Sequence, residues 1–446
     1  MTKLLLFLLT ITIAAIASMW FIENDGSIVI EWLGYRIQTS VAFAILSSVV
    51  ILVLLTTVIQ LLIFLTSAPK KYRKAMLDRK KQNGLTALSK GFASIAAGDA
   101  KEAKRLTKQA TSSLGNIPLT KLLSAQTAQL EGNNELAKVH YTSMLESKET
   151  ETIAIKGLLI QARQDGDLNK AIFLAEKAVN LNPNSSWAIS ILMDLYKITE
   201  KWQEAEEILQ KAKRIKLLSS DQYKRSLALI YTGICRDFRT KGVNDEAIKY
   251  AKKAYELQPD FPPIAQNYAK LLKDSGNNSK AARVIEKCWK TNTHPALADL
   301  YMNIYSNEST EKRLKRTESL LKISPNSFDG NILVAKAAMA AGNLSKARNH
   351  LKAALAIRET KSVCALMAEL EKLEESDSSI IDQWRQRSVT SNSDKTWICD
   401  KCNASSDKWS INCNNCDSFD TLYWDNDNSS KLKILAPQQT ELLEAS

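Results

Sequence analysis

The chain has 446 residues, of which 45% are hydrophobic, while only 14 are Gly and 9 are Pro. This composition excludes collagen-like and mostly disordered classes, and the length exceeds that of one compact core. The formal net charge is +12, with basic residues in excess over residues 1–82 and acidic residues in excess over 376–446. The few turn-forming residues indicate a largely helical, all-α protein with several structural units.

Two uncharged apolar runs, residues 4–22 and 41–65, lie near the N-terminus. Each is long enough to cross about 30 Å of hydrocarbon as a helix. Together they predict a two-span membrane hairpin over residues 1–68. The first run also has features of a cleavable signal peptide, because Lys3 precedes it and the small residues Ala15 and Ala17 flank Ile16.

The first run continues past the small residues through Trp20, Phe21 and Ile22. An aromatic residue at the membrane interface suits an uncleaved helix, which we therefore favour over a signal peptide.

A basic juxtamembrane segment, residues 69–84, follows the second run, whereas the connection 23–40 has three acidic residues and one basic residue, Arg36. The positive-inside rule places this segment and everything after it in the cytoplasm. We expect the segment to attract anionic lipid head groups and not to bind nucleic acid, because its position beside a span already explains its charge. Its cations are Lys70, Lys71, Arg73, Lys74, Arg79, Lys80 and Lys81.

Residues 85–375 contain a repeat with a period of 34 residues, and Ala stands five residues after each of its turn glycines. Gly permits the left-handed conformation that ends a helix, and Ala lets a neighbouring helix approach closely. The turn marks are Gly98, Gly132, Gly166, Gly242, Gly276 and Gly342, with degenerate marks at Glu200 and Glu308, and an eight-residue insertion lies around 217–223. Helix–turn–helix units of this length resemble the tetratricopeptide repeat (TPR), which stacks into an α-solenoid with a concave binding surface.

The positions that face the groove in TPR proteins are mostly basic in the middle of this array. We hypothesise that they bind an acidic or carboxylate-ended segment of a partner protein, although a basic chain also carries solvated cations of no such role. These residues are Lys156, Arg163, Lys197, Arg236, Arg239, Lys270, Lys273 and Lys336. In the first two units the equivalent positions predict an apolar membrane-proximal patch of Leu88, Phe92, Ile95 and Leu122.

Four cysteines near the C-terminus form two Cys-x-x-Cys pairs separated by ten residues: Cys399, Cys402, Cys413 and Cys416. Two such pairs complete a closed, tetrahedral S4 site, so residues 397–424 predict a zinc-ribbon-like module with a structural Zn2+. Iron in a rubredoxin-like site is the alternative, because S4 geometry alone does not select the metal.

Asn403 and Asp417 follow the pairs at positions where the chain needs a left-handed turn. The aromatic residues Trp397, Trp409, Phe419 and Trp424 are expected to pack around the metal. Residues 376–396 predict a linker, and residues 425–446 a mobile tail.

Nothing in the sequence supports catalysis. Cys235, Cys288 and Cys364 occupy small-residue positions of the array, and the three His are scattered. We find no Ser–His–Asp constellation, Gly-rich phosphate loop or paired carboxylates, and we therefore predict that the protein is not an enzyme.

Three stretches carry a resemblance to a known family: residues 84–91 (GLTALSKG), 96–99 (AAGD) and 123–132 (LSAQTAQLEG). They resemble the HemY family of proteobacterial inner-membrane TPR proteins, and the four-Cys tail is similar to an extension that some members carry. The resemblance implies a multi-pass scaffold of the bacterial cell inner membrane that serves haem or porphyrin biosynthesis through bound partner enzymes.

Two other functions remain open. LapB-like adaptors, which hand an envelope-biosynthesis enzyme to a membrane protease, share the layout of membrane anchor, TPR array and four-Cys module. They resemble this chain less, since they have one span and a tighter coupling of the metal module to the array. A third possibility is direct binding of haem or porphyrin at the apolar membrane-proximal patch.

Overall fold

The computed structural model describes residues 12, 13, 16, 19, 20, 26–305 and 307–425, without the side chains of 63–72. The predicted first span, residues 4–22, falls almost wholly outside these residues, as does the predicted tail after Asp425. The chain divides into two compact units, residues 1–144 and 145–446.

A β-hairpin precedes the long apolar helix in the first unit. Strand β1 (Ser27–Trp32) pairs antiparallel with β2 (Tyr35–Ser40). The two-residue loop consists of Leu33 and Gly34, both with positive φ, at 53° and 85°. Two-residue loops with positive φ match the twist of a hairpin. These strands were not predicted from the sequence.

One continuous helix, α1 (Val41–Ala96), joins the predicted membrane span to the first repeat. Within the described part of the chain, its segment Val41–Leu62 is long and apolar enough to cross a membrane, and none of it is buried by protein. The hydroxyls of Ser47 and Thr56 donate to carbonyl oxygens three residues earlier, at 3.0 and 2.9 Å. Such bonds satisfy polar groups where lipid offers no partner. This helix confirms the predicted apolar helix beginning at Val41 and makes it a candidate membrane span.

The remaining helices form antiparallel pairs of the TPR type. In the first unit, α2 (Ala100–Leu114) pairs with the end of α1, and α3 (Pro118–Leu130) pairs with α4 (Asn134–Met144). In the second unit the helices are α5 (Glu151–Gln164), α6 (Leu168–Leu181), α7 (Ser186–Ile198), α8 (Trp202–Arg214), α9 (Ser220–Thr240), α10 (Asn244–Leu257), α11 (Pro262–Asp274), α12 (Asn278–Trp289), α13 (Pro295–Met302), α14 (Thr310–Ile323), α15 (Phe328–Ala340), α16 (Leu344–Ile357), α17 (Lys361–Leu373) and α18 (Ser378–Thr390).

The turn marks read from the sequence have the expected backbone. All six predicted turn glycines have φ between 71° and 80°, and Glu200 has a φ of 56°. The alanines five residues after the glycines have 0% exposure, as Ala103 and Ala347 illustrate. Close helix approach at small residues therefore builds the array, as predicted. Glu308 differs, since it lies in the loop before α14 and pairs with Arg316.

The prediction of a linker over residues 376–396 is wrong for most of this range. Helix α18 lies within it and pairs with α17 through a turn at Glu375, which has a φ of 55°. The ion pair between Arg387 and Glu359 supports this pairing at 2.8 Å. The array thus gains a ninth helix pair among the described residues. This pair was not predicted from the sequence, because its turn residue Glu375 is not Gly and no Ala stands five residues later.

The described part of the chain ends in a small sheet of order β4-β3-β5, in which β3 pairs antiparallel with both β4 and β5. Its strands are β3 (Thr396–Cys399), β4 (Ser405–Ser406) and β5 (Leu422–Asp425). We call residues 396–425 the four-Cys module.

Two glycines of the family-like stretch make the first repeat possible. A Cβ on Gly84 would lie 2.6 Å from Leu114 Cγ, and one on Gly91 would lie 2.9 Å from Leu123 Cδ2. Around them Leu88, Leu106 and Leu123 form a buried cluster. The missing Cβ atoms let α2 and α3 approach α1.

We expect Gly84→Val to destabilise the first repeat by about 1–3 kcal/mol, the usual cost of overpacking a filled core. Amide hydrogen exchange of α2 should accelerate in the full chain. Thr86→Val is the matched control, since it places the same side chain on the exposed face of the same helix. Equal exchange rates in the two variants would contradict close packing at Gly84.

Candidate metal centre and its seat on the repeat array

The four cysteines of the module meet at one point. Their Sγ atoms all lie within 4.8 Å of one another. The closest pairs, Cys399–Cys416 and Cys402–Cys413, are both 3.7 Å apart. Sulfurs bound tetrahedrally at 2.3 Å to one ion stand about 3.8 Å apart. The thiols are therefore arranged to hold one metal ion.

Two matching turns position the thiols. Asn403 N–H donates to the Cys399 carbonyl and Asp417 N–H donates to the Cys413 carbonyl, each at 2.9 Å. Asn403 and Asp417 have φ values of 56° and 52°, the left-handed conformation that the sequence predicted for them. Asn and Asp tolerate this conformation better than other residues with a side chain.

The surroundings of the thiols differ between the two pairs. A hydrogen bond from the Asn415 side chain, followed by that of the Ala404 backbone, lowers the pKa of Cys402 to about 6. Burial raises the pKa of Cys413 to about 11. Metal binding requires the thiolate form, so an ion in this site would bind with release of protons.

The aromatic residues around the site belong to the module and to the array. Trp397, Trp409 and Trp424 pack against the cysteine cluster, as predicted, and they are joined by Phe261 from the start of α11. The Phe261 ring centroid lies 5.5 Å from that of Trp409. His294, at the start of α13, lies 4.3 Å from Trp424. The module core is thus completed by residues of the array.

A bidentate ion pair joins the module to α9. Arg225 Nη2 donates to Asp420 Oδ1 at 2.7 Å, and Arg225 Nε donates to Asp420 Oδ2 at 3.0 Å. The guanidinium lies 3.8 Å above the centroid of the Phe261 ring. The planar fork of Arg matches a carboxylate and can stack on an aromatic ring at the same time.

A second cation, Lys197 at the end of α7, lies beneath the module. Its Nζ is 4.6 Å from the centroid of the Phe419 ring, and its carbonyl accepts a hydrogen bond from Asn412 Nδ2 at 3.0 Å. Lys197 is only 6% exposed, and this burial lowers its pKa. Phe419 was expected beside the metal but instead covers this lysine. We call Lys197, Arg225, Phe261 and His294 the module seat.

The chain between α18 and the module is bonded to the array. Lys361 N–H donates to the Asn392 carbonyl at 3.0 Å. Ser362 donates to Asp394 from its backbone N–H at 3.0 Å and from its hydroxyl at 2.6 Å. These bonds hold the end of the expected linker against the start of α17.

The predicted groove residues lie in different environments. Lys197 is buried in the module seat, Lys156 and Lys273 are half-buried, and the remaining five are exposed. Arg236 pairs with Glu200 at 2.7 Å, and Lys336 lies 3.8 Å from Asp299. Arg225, Phe261 and His294 were missed. The eight-residue insertion that lengthens α9 was the available signal for Arg225.

The predicted apolar patch is largely core. Leu88 is 6% exposed, and Phe92 and Ile95 pack against its buried cluster. Leu122 is half-buried. Leu88 therefore does not provide surface, because its side chain fills the interface between α1 and α2.

A cavity of about 710 Å³ lies beside the module in the second unit. Its walls come from α13, α15 and α17, and include Ile332, Leu366 and the predicted groove residue Lys336. Trp424 of the module and Arg358 also line it. The module thus contributes a wall to a concave, partly apolar opening of a size usual for ligand sites.

The fold and the site together define a TPR-like repeat protein with a candidate membrane-spanning helix and a candidate four-Cys metal site. Residues 26–132 match the family model described as HemY protein N-terminus, which confirms the family resemblance over this part of the chain.

Similar proteins come from several sources. The protein named "Probable magnetosome protein Mms48" of Magnetospirillum gryphiswaldense is 24% identical over 457 residues, covering 98% of this chain and 96% of that protein. A tetratricopeptide repeat protein from Parabacteroides merdae is 15% identical, covering 69% of this chain and 100% of that chain with a TM-score of 0.30. The crystal structure of MamA is 20% identical, covering 37% of this chain and 93% of that chain with a TM-score of 0.25.

We expect the purified chain to contain one metal ion per molecule. Cys416→Ser should lose this ion, because three thiolates and a hydroxyl bind a metal that prefers sulfur less well than four thiolates do. Elemental analysis by mass spectrometry measures the metal content. The control is Cys288→Ala, which removes a buried thiol of the array. Full metal content in Cys416→Ser would contradict an S4 site.

Proposed function

We propose that this protein is a membrane-anchored scaffold that binds partner proteins on its helical repeats. The continuous helix α1 carries this proposal, because one helix contains both the candidate membrane span and part of the first repeat core. Such a helix would tether the first repeat to the membrane. A repeat array then offers partners an extended surface of paired helices.

The orientation proposed is cytoplasmic, in a bacterial inner membrane. It is supported by the basic segment 69–84 that follows the span, and the same cations are proposed to contact anionic lipid head groups. The earlier apolar run, residues 4–22, is proposed as a second span, which would make the protein multi-pass.

Protease mapping tests this topology. In intact spheroplasts, residues 85–425 should be protected from added protease, and permeabilisation should expose them. A cytoplasmic marker protein controls for intactness of the membrane. Digestion of the array in spheroplasts that still protect the marker would place it outside and contradict the proposal.

Zinc is the proposed ion of the four-Cys module. The four thiols close the coordination shell and leave no open position for a substrate, as in structural zinc sites. The same elemental analysis decides the identity, since iron in place of zinc would contradict this assignment. When bound, the ion would supply folding stability to a module with a small core.

The repeats are proposed to capture an acidic partner segment through their exposed cations. Arg239 and Lys270 are exposed, and Arg236 forms a surface ion pair of little energetic worth. Charge complementarity of this kind governs the rate and specificity of association.

Replacing Arg236, Arg239 and Lys270 together by Glu should abolish crosslinking to partner proteins in membranes while the helix content stays unchanged. Circular dichroism and mass spectrometry of the crosslinked proteins measure the two quantities. Glu at Lys249, Lys252 and Lys280 is the control, because these exposed lysines lie on the second helices of their pairs. Unchanged crosslinking in the groove variant would remove the charged-groove hypothesis.

The identity of the captured proteins distinguishes two roles. The family resemblance supports a link to haem or porphyrin biosynthesis, and recovery of enzymes of that pathway is expected. A LapB-like adaptor is the second candidate, and the module seated on the array favours it, since tight coupling of the two is a feature of such adaptors. Recovery of a membrane protease together with its substrate would select that role.

A further inference from the structure

The four-Cys module occupies a cationic site in the middle of the repeat array. Lys197 and Arg225 come from α7 and α9, the first helices of successive pairs, and lie among the residues that a TPR array presents to partners. Both face an aromatic–carboxylate pair of the module, Phe419 and Asp420. The sequence-based hypothesis placed an acidic partner segment at Lys197 among other cations, and in the structure Phe419 of the same chain lies over this lysine.

The contacts are those of a ligand in a binding site. Asp420 is held bidentately by Arg225, and the Phe419 ring covers Lys197. The Phe261 ring stacks on the Arg225 guanidinium at 3.8 Å and fixes it for the carboxylate. An arginine that is already oriented loses little freedom when it binds a carboxylate. The site therefore recognises an aromatic residue followed by a carboxylate.

The turn that follows the second Cys pair shapes the loop that enters this site. Phe419 and Asp420 come three and four residues after Cys416, and Asp417 and Asp420 have left-handed φ values of 52° and 55°. The Asp420 N–H donates to the Ile411 carbonyl at 2.9 Å, which closes the loop over Cys413 and Cys416. Loss of the metal removes the constraint that holds these turns, because such modules fold with their ion.

We propose that the loop of Phe419 and Asp420 is an intramolecular, metal-dependent occupant of the partner site at Lys197 and Arg225. Partners of the class that this site takes are segments with an aromatic residue followed by a carboxylate, and they compete with the loop. Metal loss opens the site. The inference rests on the proposed scaffold function, because it assigns a chemistry to one of its binding surfaces.

Lys197 itself reports occupancy of the site. In the full chain in detergent, an amine-reactive reagent should label Lys197 slowly, since the lysine is 6% exposed beneath Phe419. The exposed Lys270 on α11 serves as the internal reference. Labelling at each residue is quantified by mass spectrometry of the digested protein.

Removal of the metal with a chelator should increase Lys197 labelling relative to Lys270 about tenfold, which corresponds to about 1.4 kcal/mol of lost docking free energy. Asp420→Asn and Arg225→Gln should increase it in the same direction while the metal content stays at the wild-type level. These two variants separate loss of docking from unfolding of the module. Asp407→Asn, which changes an exposed carboxylate of the same module, should behave as wild type.

Unchanged Lys197 labelling after chelation, or in Asp420→Asn, would overturn the proposal. Equal increases in Asp407→Asn and Asp420→Asn would also overturn it, because the ion pair would then have no specific part in docking. Neither result bears on the proposed scaffold function. That proposal is contradicted separately if the wild-type chain crosslinks to no partner in membranes.

Discussion

The ion pair between Asp420 and Arg225 holds the four-Cys module against helix α9 of the array. It joins residues 195 positions apart, and no local pattern accounts for it. Around it, Phe261 and His294 complete the aromatic core of the four-Cys module, while Lys197 is buried beneath Phe419. A module with few residues of its own thus obtains part of its core from the array. In our proposal, metal binding and folding of the module control access to the groove through the module seat.

The array that carries this seat depends on small residues at fixed intervals. Left-handed turns at Gly98 and its equivalents reverse the chain, and buried alanines let the paired helices approach. The same rule acts at Gly84 and Gly91 in α1, where the candidate membrane-spanning helix continues into the first repeat. The candidate membrane helix and the first repeat are therefore joined in one continuous helix.

Much of this fold could be predicted, because its signals are local. The glycine turns, the degenerate turn at Glu200, and the left-handed positions Asn403 and Asp417 all follow from backbone preferences of single residues. The β-hairpin at 27–40 and the ninth helix pair were missed, the latter because Glu375 makes its turn without a Gly signal. The four thiols were predicted from their spacing alone. The module seat was not predicted, since its side chains come together only after the array has folded.

We propose that a metal ion holds the module on the array. Spin labels at Asp407→Cys in the module and Lys270→Cys on α11 would report this directly, because both positions are exposed. Electron–electron double resonance of the metal-loaded chain should give one narrow distance distribution, and removal of the metal should broaden it. The same distribution in both states would contradict metal-dependent docking, as would a broad distribution in the metal-loaded chain.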